Sequence, residues 1–136
     1  MLEVYSKNVT VASEGSVPLN NVTLLKGTSS QLPGASTIQL NKCGVYQVAV
    51  SATAIGSEEG LITLQLRKDG VLQPQAIVST TAADTTSSNP MSFVTLVQVP
   101  QNNCPNCACS IPTTIEFVNT GITATYSTFD VTIIRI

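Results

Sequence analysis

The sequence predicts an all-β fold, a sandwich or jelly roll of about eight to ten short strands. Apolar and polar residues alternate with a period of two along most of the chain, turn residues separate these runs, and no helical period lasts three turns. A length of 136 residues suits one domain with one core. We therefore expect a single jelly-roll domain over 1–136, in which 1–19 forms an N-terminal strand or arm.

Four strands are predicted in the first part of the chain. A Ser-Glu-Gly-Ser turn follows the first strand, a loop with proline and glycine follows the second, and an Asn-Lys-Cys-Gly turn precedes the fourth. The fourth is the longest and is predicted to be central, because its alternate residues form one apolar face. The predicted strands are 2–11, 21–26, 37–40 and 45–55.

The second part of the chain begins with a strong hairpin signal. Asp69 and Gly70 both tolerate the positive φ of a tight turn, so they join strands at 61–68 and 71–80. Pro74 places the second of these strands at an edge or a bulge, because proline lacks the N–H that a central strand needs. Polar loops are predicted at 82–90 and 101–112, and further strands at 93–99, 113–118 and 123–136.

The last predicted strand, TATYSTFDVTIIRI, is apolar almost to its end. An exposed terminal strand of this kind would fray or aggregate. We therefore expect it to lie between neighbouring strands, deep in the assembly.

Composition indicates self-association and excludes two classes of partner. Charged residues make up 10% of the chain, against about 25% in an average domain, and the mean hydropathy is +0.26. So few charges leave apolar surface for an oligomer to cover. The net charge is −2 and the six cations are scattered, so we expect no nucleic-acid partner. The sequence contains no membrane-spanning run and no secretory signal, so we expect synthesis in the cytoplasm and no membrane partner.

Two motifs succeed one another along the chain. Their positions are Gly44, Tyr46, Val48 and Val50 in the first, and Leu66, Lys68, Asp69 and Gly70 in the second. This arrangement resembles the tumour necrosis factor and complement globular-head superfamily, in which a Gly-x-Tyr strand precedes a Leu-x-Lys/Arg-Asn/Asp-Gly hairpin. The resemblance covers 36–136 and implies a ten-strand jelly roll packed as a tight homotrimer.

The chain is also similar in character to small trimeric jelly rolls of tailed-phage virions. The likeness rests on its short length, low charge, Ser/Thr/Asn-rich surfaces, and lack of a secretion signal or collagen-like stalk. It implies a capsid decoration or head-fibre protein on the capsid exterior, made in the host cytoplasm. Its partners would be itself and the major capsid protein or other virion proteins. The alternative is a receptor- or carbohydrate-binding tip module of a phage fibre or bacterial surface protein.

The superfamily resemblance also assigns the aromatic residues. In its trimers, aromatics on the inner strands pack against neighbouring subunits. Tyr46, Tyr126 and Phe129 are therefore our predicted trimer-interface residues, and Phe93 and Phe117 are predicted to fill the sandwich core.

The four cysteines form the candidate site whose possible chemistry is best defined. Cys104, Cys107 and Cys109 are close in sequence, and Cys43 enters the longest strand. Four thiolates would complete a tetrahedral structural site for Zn or Fe. Two disulfides also fit the even count, as do four free thiols. The sequence leaves all three interpretations open.

No catalytic constellation is found in the sequence. The chain contains no histidine, the usual base for a serine or cysteine nucleophile, and lacks the G-x-S-x-G and Walker patterns. We therefore expect a non-enzymatic protein with no catalytic residues and, apart from the candidate Zn or Fe, no cofactor.

Overall fold

Two antiparallel sheets face each other and enclose an apolar core. The computed structural model describes residues 1–27, 30–100 and 112–136. Within these ranges there are eleven strands and no helix. The strands are β1 (Leu2–Val11), β2 (Gly15–Ser16), β3 (Asn21–Leu25), β4 (Ser30–Gln31), β5 (Ile38–Leu40), β6 (Gly44–Gly56), β7 (Gly60–Lys68), β8 (Val71–Ala82), β9 (Asn89–Val99), β10 (Thr113–Asn119) and β11 (Ala124–Arg135).

The strands form a sandwich of two sheets. One sheet has five strands in the order β3-β1-β11-β6-β9. The other has the order β4-β5-β10-β7-β8, with β2 paired to β10. Because consecutive strands repeatedly cross from one sheet to the other, the connectivity is that of a jelly roll, and the predicted fold class is confirmed.

The terminal strand lies at the centre of the five-stranded sheet, as predicted. β11 pairs with β1 on one side and with β6 on the other. Val131 is fully buried and lies opposite Val4 and Val50. The apolar end of the sequence is therefore protected on both sides.

The longest strand, β6, has the apolar face that its sequence predicts. Its alternate residues point into the sandwich and are almost fully buried: Tyr46, Val48, Val50, Ala52 and Ala54. The small alanines in this face leave room for aromatic rings from neighbouring strands. Phe129 lies opposite Ala52, and its ring packs edge-on against Phe117 and Tyr126 at centroid distances of 5.6 and 5.9 Å.

The predicted hairpin between β7 and β8 is confirmed. Asp69 and Gly70 have φ values of 49° and 83°, which is the left-handed conformation that this turn needs. The Asp69 carboxylate also accepts a hydrogen bond of 2.9 Å from the backbone N–H of Thr114. The turn is thereby attached to the neighbouring strand β10.

Pro74 lies where its chemistry predicts, on an edge strand with a bulge. β8 is the last strand of its sheet, and its register with β7 shifts between Gln65 and Arg67. The predicted loop after β8 is shorter than expected, because β8 extends to Ala82 and β9 already begins at Asn89. Two short strands, β2 and β4, were not predicted, since two residues carry no readable periodicity.

No helix in the described ranges is long and apolar enough to cross a membrane. The predicted loop at 101–112 lies outside the described residues except for its last position.

Candidate functional site: the outer face of the five-stranded sheet

The five-stranded sheet has an outer face on which large apolar side chains are exposed. The alternation that turns Tyr46 and Val48 into the core turns their neighbours outward. Val94 and Leu96 on β9 are 63% and 59% exposed, and Ile134 on β11 is 38% exposed. These three define what we call the outer apolar patch.

The register places the members of the outer apolar patch in two adjacent rows across the sheet. Leu96 lies opposite Gln47, which in turn lies opposite Ile134. Val94 lies opposite Ala49 in the next row of the same face. Val94 and Leu96 are neighbours along one face of β9, and the exposed Gln47 lies between Leu96 and Ile134.

This outer face carries little charge. β6 and β9 contain no charged residue, and the charges on the face are confined to Glu3 and Lys7 of β1 and Asp130 of β11. Lys7 and Asp130 are both exposed and lie diagonally across the β1–β11 pair. An apolar patch with a sparsely charged rim is typical of a surface that another chain covers.

The edge strand β3 extends the uncovered surface. All five of its residues are exposed, including Val22, Leu24 and Leu25 at 51%, 40% and 53%. Leu24 lies opposite Glu3, on the same side of the sheet as the outer apolar patch. A five-residue edge strand with no buried residue gains little stability from its own subunit.

The outer face of the opposite sheet exposes apolar side chains as well, with Leu61, Leu72 and Ile77 at 52%, 38% and 44%, but it also carries an ion pair. The Arg67 guanidinium lies 2.9 Å from the Glu116 carboxylate, and Ser16 donates a 2.8 Å hydrogen bond to the same carboxylate. These side chains come from β7, β10 and β2, so the ion pair and the serine hydrogen bond together join three strands. The two outer faces thus differ in their charge pairing, and the one without ion pairs among the described residues is the candidate contact surface.

The aromatic residues predicted for the trimer interface lie elsewhere. Tyr46, Tyr126 and Phe129 are each 0% exposed within the single chain, so they face the core and cannot touch another subunit. The predicted interface residues are therefore wrong. Phe117 is fully buried and Phe93 packs partly buried against the core, as predicted for both.

The outward residues of β9 were missed, although the sequence contains a signal for them. The run Phe-Val-Thr-Leu-Val-Gln-Val has apolar residues on both faces of the strand. Both faces are therefore expected to pack against other residues. One face meets the core through Phe93 and Val97, and the other presents Val94 and Leu96. In an edge strand, a second apolar face indicates contact with another chain.

Burial changes the acid–base chemistry of two tyrosines. Desolvation raises the pKa of the Tyr126 hydroxyl well above its ordinary value of 10.0. Desolvation also raises the pKa of Tyr46, against the opposing effect of the Arg135 charge. Both hydroxyls therefore stay protonated at neutral pH and serve as core hydrogen-bonding groups.

The cysteine site lies mostly outside the described residues. Cys43 is buried and disulfide-bonded. Cys104, Cys107 and Cys109 fall in the range 101–111, which the structure does not describe. Among the described residues, no group of three His, Cys, Asp or Glu side chains is placed to hold a metal ion.

The Arg135 side chain binds the backbone at Cys43. Its guanidinium donates two hydrogen bonds, of 3.0 and 2.6 Å, to the Cys43 backbone carbonyl. These bonds attach the end of β11 to the turn that enters β6. The last cation of the sequence is thus used for local structure.

The architecture matches that of several solved structures. The globular domain of zebrafish complement 1qA protein aligns with a TM-score of 0.61 and 12% identity, over 96% of this chain and 94% of that chain. Murine APRIL aligns with a TM-score of 0.67 and 11% identity, over 99% of this chain and 98% of that chain. The fold is a jelly roll similar to those of these two proteins.

A viral protein shares the same jelly roll. The PRD1 vertex protein P5 aligns with a TM-score of 0.58 and 16% identity, over 99% of this chain and 95% of that chain. No protein-family model and no curated protein matches the sequence. At these identities the likeness establishes the fold alone, and it covers nearly the whole of each compared chain.

Proposed function

We propose that this chain is a non-enzymatic, homotrimeric structural protein of a tailed-phage virion, which decorates the outside of the head. The observation that carries the proposal is the outer apolar patch of Val94, Leu96 and Ile134 on a sheet face with few charges. The superfamily resemblance implies a trimer, and three subunits around an axis would cover three such faces at once. The likeness to a PRD1 vertex protein supports a place in a virion.

The proposed mechanism is mass-action binding of a preformed trimer to a symmetric position on the capsid, through the major capsid protein or another virion protein. Trimer formation would remove the outer apolar patch from water. This burial would stabilise the trimer by about 25 cal/mol per Å² of apolar area. The remaining surface would be the ion-paired outer face of the other sheet and the loops. Three identical attachment points per trimer would raise the apparent affinity for a symmetric site.

The oligomeric part of the proposal is tested by native mass spectrometry of the recombinant protein. We expect a species of three chains, each of 14.2 kDa. A species of one chain at micromolar concentration would contradict the trimer and leave the outer apolar patch unexplained.

The virion part is tested by immunogold electron microscopy of phage particles from a lysate in which the protein is detected. Antibodies raised against the recombinant protein should label the outside of the head. Label at the tip of a tail fibre would refute decoration and favour the receptor- or carbohydrate-binding module. Intact particles without label would contradict a virion location.

A further inference from the structure

The two edges of the five-stranded sheet carry exposed apolar residues that belong to one row of paired residues. The edge strands are β3 and β9. Leu24 on β3 is 40% exposed, and Val94 on β9 is 63% exposed. The row between them passes through Glu3, Thr132 and Ala49, each paired with the next. Since directly paired residues point to the same side of a sheet, one row of the outer face begins and ends with an exposed apolar side chain.

Both edges are apolar beyond these two residues, and neither edge strand contains a charged residue. On β3, Val22 and Leu25 are 51% and 53% exposed. On β9, Leu96 is 59% exposed. Such surfaces match each other in chemistry, because an apolar surface loses no hydration of charges when another apolar surface covers it.

A single chain cannot bring its own two edges together, but a second copy can. Four strand spacings of about 4.8 Å place the edges about 19 Å apart. In a cyclic assembly every contact is heterologous, so one surface of a subunit meets a different surface of the next. Rotation about an axis parallel to the strands causes no shift along that axis. The two ends of one row therefore meet at the same level.

The width of the sheet suits three copies. Three sheets about 19 Å wide, arranged as the sides of a triangular prism, each lie about 5.5 Å from the axis, roughly half the ~10 Å between sheets packed face to face. Side chains of the middle strands therefore fill the interior. We propose that Leu24 of one subunit packs against Val94 of the partner subunit at each of the three contacts. This inference rests on the proposed homotrimer and assigns β3 as its second contact surface.

Charge complementation tests the pairing, with native mass spectrometry of the full chain at micromolar concentration as the readout. Leu24→Glu and Val94→Lys should each lose the trimer, because every contact would bury an unpaired charge. The double variant with both substitutions should regain it, because each contact then joins a carboxylate to an ammonium group. The regained trimer also shows that both substitutions leave the fold intact.

Two controls accompany these variants. Leu61 is 52% exposed, but it lies on β7 of the other sheet, so Leu61→Glu should remain trimeric. A mixture of Val94→Lys and Val94→Glu distinguishes the two ways in which β9 could be covered. The mixture should stay monomeric, because both substituted residues face an unchanged Leu24, whereas contact between two β9 strands would let the opposite charges pair.

Three outcomes would overturn the pairing of Leu24 with Val94. They are a trimeric Leu24→Glu protein, a double variant that stays monomeric, and association in the mixture of the two Val94 variants. Failure of the proposed function looks different, because the unsubstituted protein would then be monomeric. A trimeric Leu24→Glu protein beside a monomeric Val94→Lys protein would leave the trimer and the outer apolar patch in place and refute only the contact with β3.

Discussion

The Asn119 side chain is a buried polar link between three backbone segments. Its amide donates hydrogen bonds to the carbonyls of Val11, at 3.0 Å, and Ile122, at 2.8 Å. The Tyr126 hydroxyl lies 3.5 Å from the Asn119 side-chain oxygen. Since Asn119 is 0% exposed, water cannot replace these partners.

Asn119→Ala should therefore be strongly destabilising. We expect the free energy of unfolding to fall by about 2–4 kcal/mol, because the substitution leaves buried carbonyls without donors. Urea denaturation at one fixed protein concentration measures the change. Asn20→Ala is the control, since Asn20 is exposed and its bond to Ser6 uses the backbone N–H. Equal stability of the two variants would contradict the role of Asn119.

Tyr126 gives a second residue-level prediction, on alkaline pH. Burial raises its pKa above 10.0 in the folded state, so above pH 10 the unfolded chain loses this proton first. The free energy of unfolding should therefore fall as pH rises, by about 1.4 kcal/mol per pH unit for this group. Thermal unfolding between pH 8 and pH 11 should show a shallower fall for Tyr126→Phe than for the parent. Parallel pH profiles would contradict the prediction.

The buried tyrosines also show the limit of assigning roles to single residues from sequence. Each lies in an alternating strand, and alternation identifies which residues share a face without saying which face meets the core. Tyr46, Tyr126 and Phe129 were assigned to the interface by resemblance. In the structure, β11 lies beside β6, and the inner face of β6 carries the small side chains of Ala52 and Ala54. These small side chains leave room for the aromatic rings inside the sandwich.

At the level of the strand, β9 has two apolar faces and one of them is exposed. Val94→Asp should convert the trimer to a monomer that keeps its β-sheet circular dichroism, because an uncharged interface would bury three carboxylates at a cost of several kcal/mol per ion. Native mass spectrometry at micromolar concentration measures the outcome. Ile77→Asp, at a 44% exposed position on edge strand β8 of the other sheet, should remain trimeric. A trimeric Val94→Asp protein would refute the contact surface.

The turn before β6 carries the next prediction, on the disulfide of Cys43. Without reductant, Cys43 should resist alkylation by iodoacetamide in denaturant, because its sulfur is already bonded. Reduction should lower the free energy of unfolding by about 2–4 kcal/mol, through the larger freedom of the unfolded chain. Cys43→Ser should show the same loss and no further response to reductant. Alkylation of Cys43 in the unreduced protein would contradict the bond.

The strands differ in how far the sequence determines them. Alternation over seven or more residues predicted β1, β6, β7, β10 and β11 because each has one face turned to the core. β2 and β4 are two residues long and exist only through their partners β10 and β5. Their positions depend on tertiary contacts, which no local pattern encodes.

For the whole molecule, the sequence predicted the architecture better than the site. The low charge indicated a surface that another chain covers. The apolar final strand indicated a position between two other strands, and β11 lies between β1 and β6. Neither observation identifies Val94 or Leu96, because their exposure depends on which strands lie at the sheet edges. Edge positions are set by the order of the strands, and that order is visible only in the fold.

The charge distribution of the whole molecule makes a last prediction, on salt. If subunits meet through β6 and β9, which contain no charged residue, association depends on apolar burial and should be insensitive to screening. Raising the salt concentration from about 0.01 M to 1 M shortens the Debye length from about 30 Å to 3 Å. The trimer mass measured by light scattering should stay constant over this range. Dissociation at high salt would show that charges such as Lys7 and Asp130 hold the subunits together, and the contact surface would then be centred on β1 and β11.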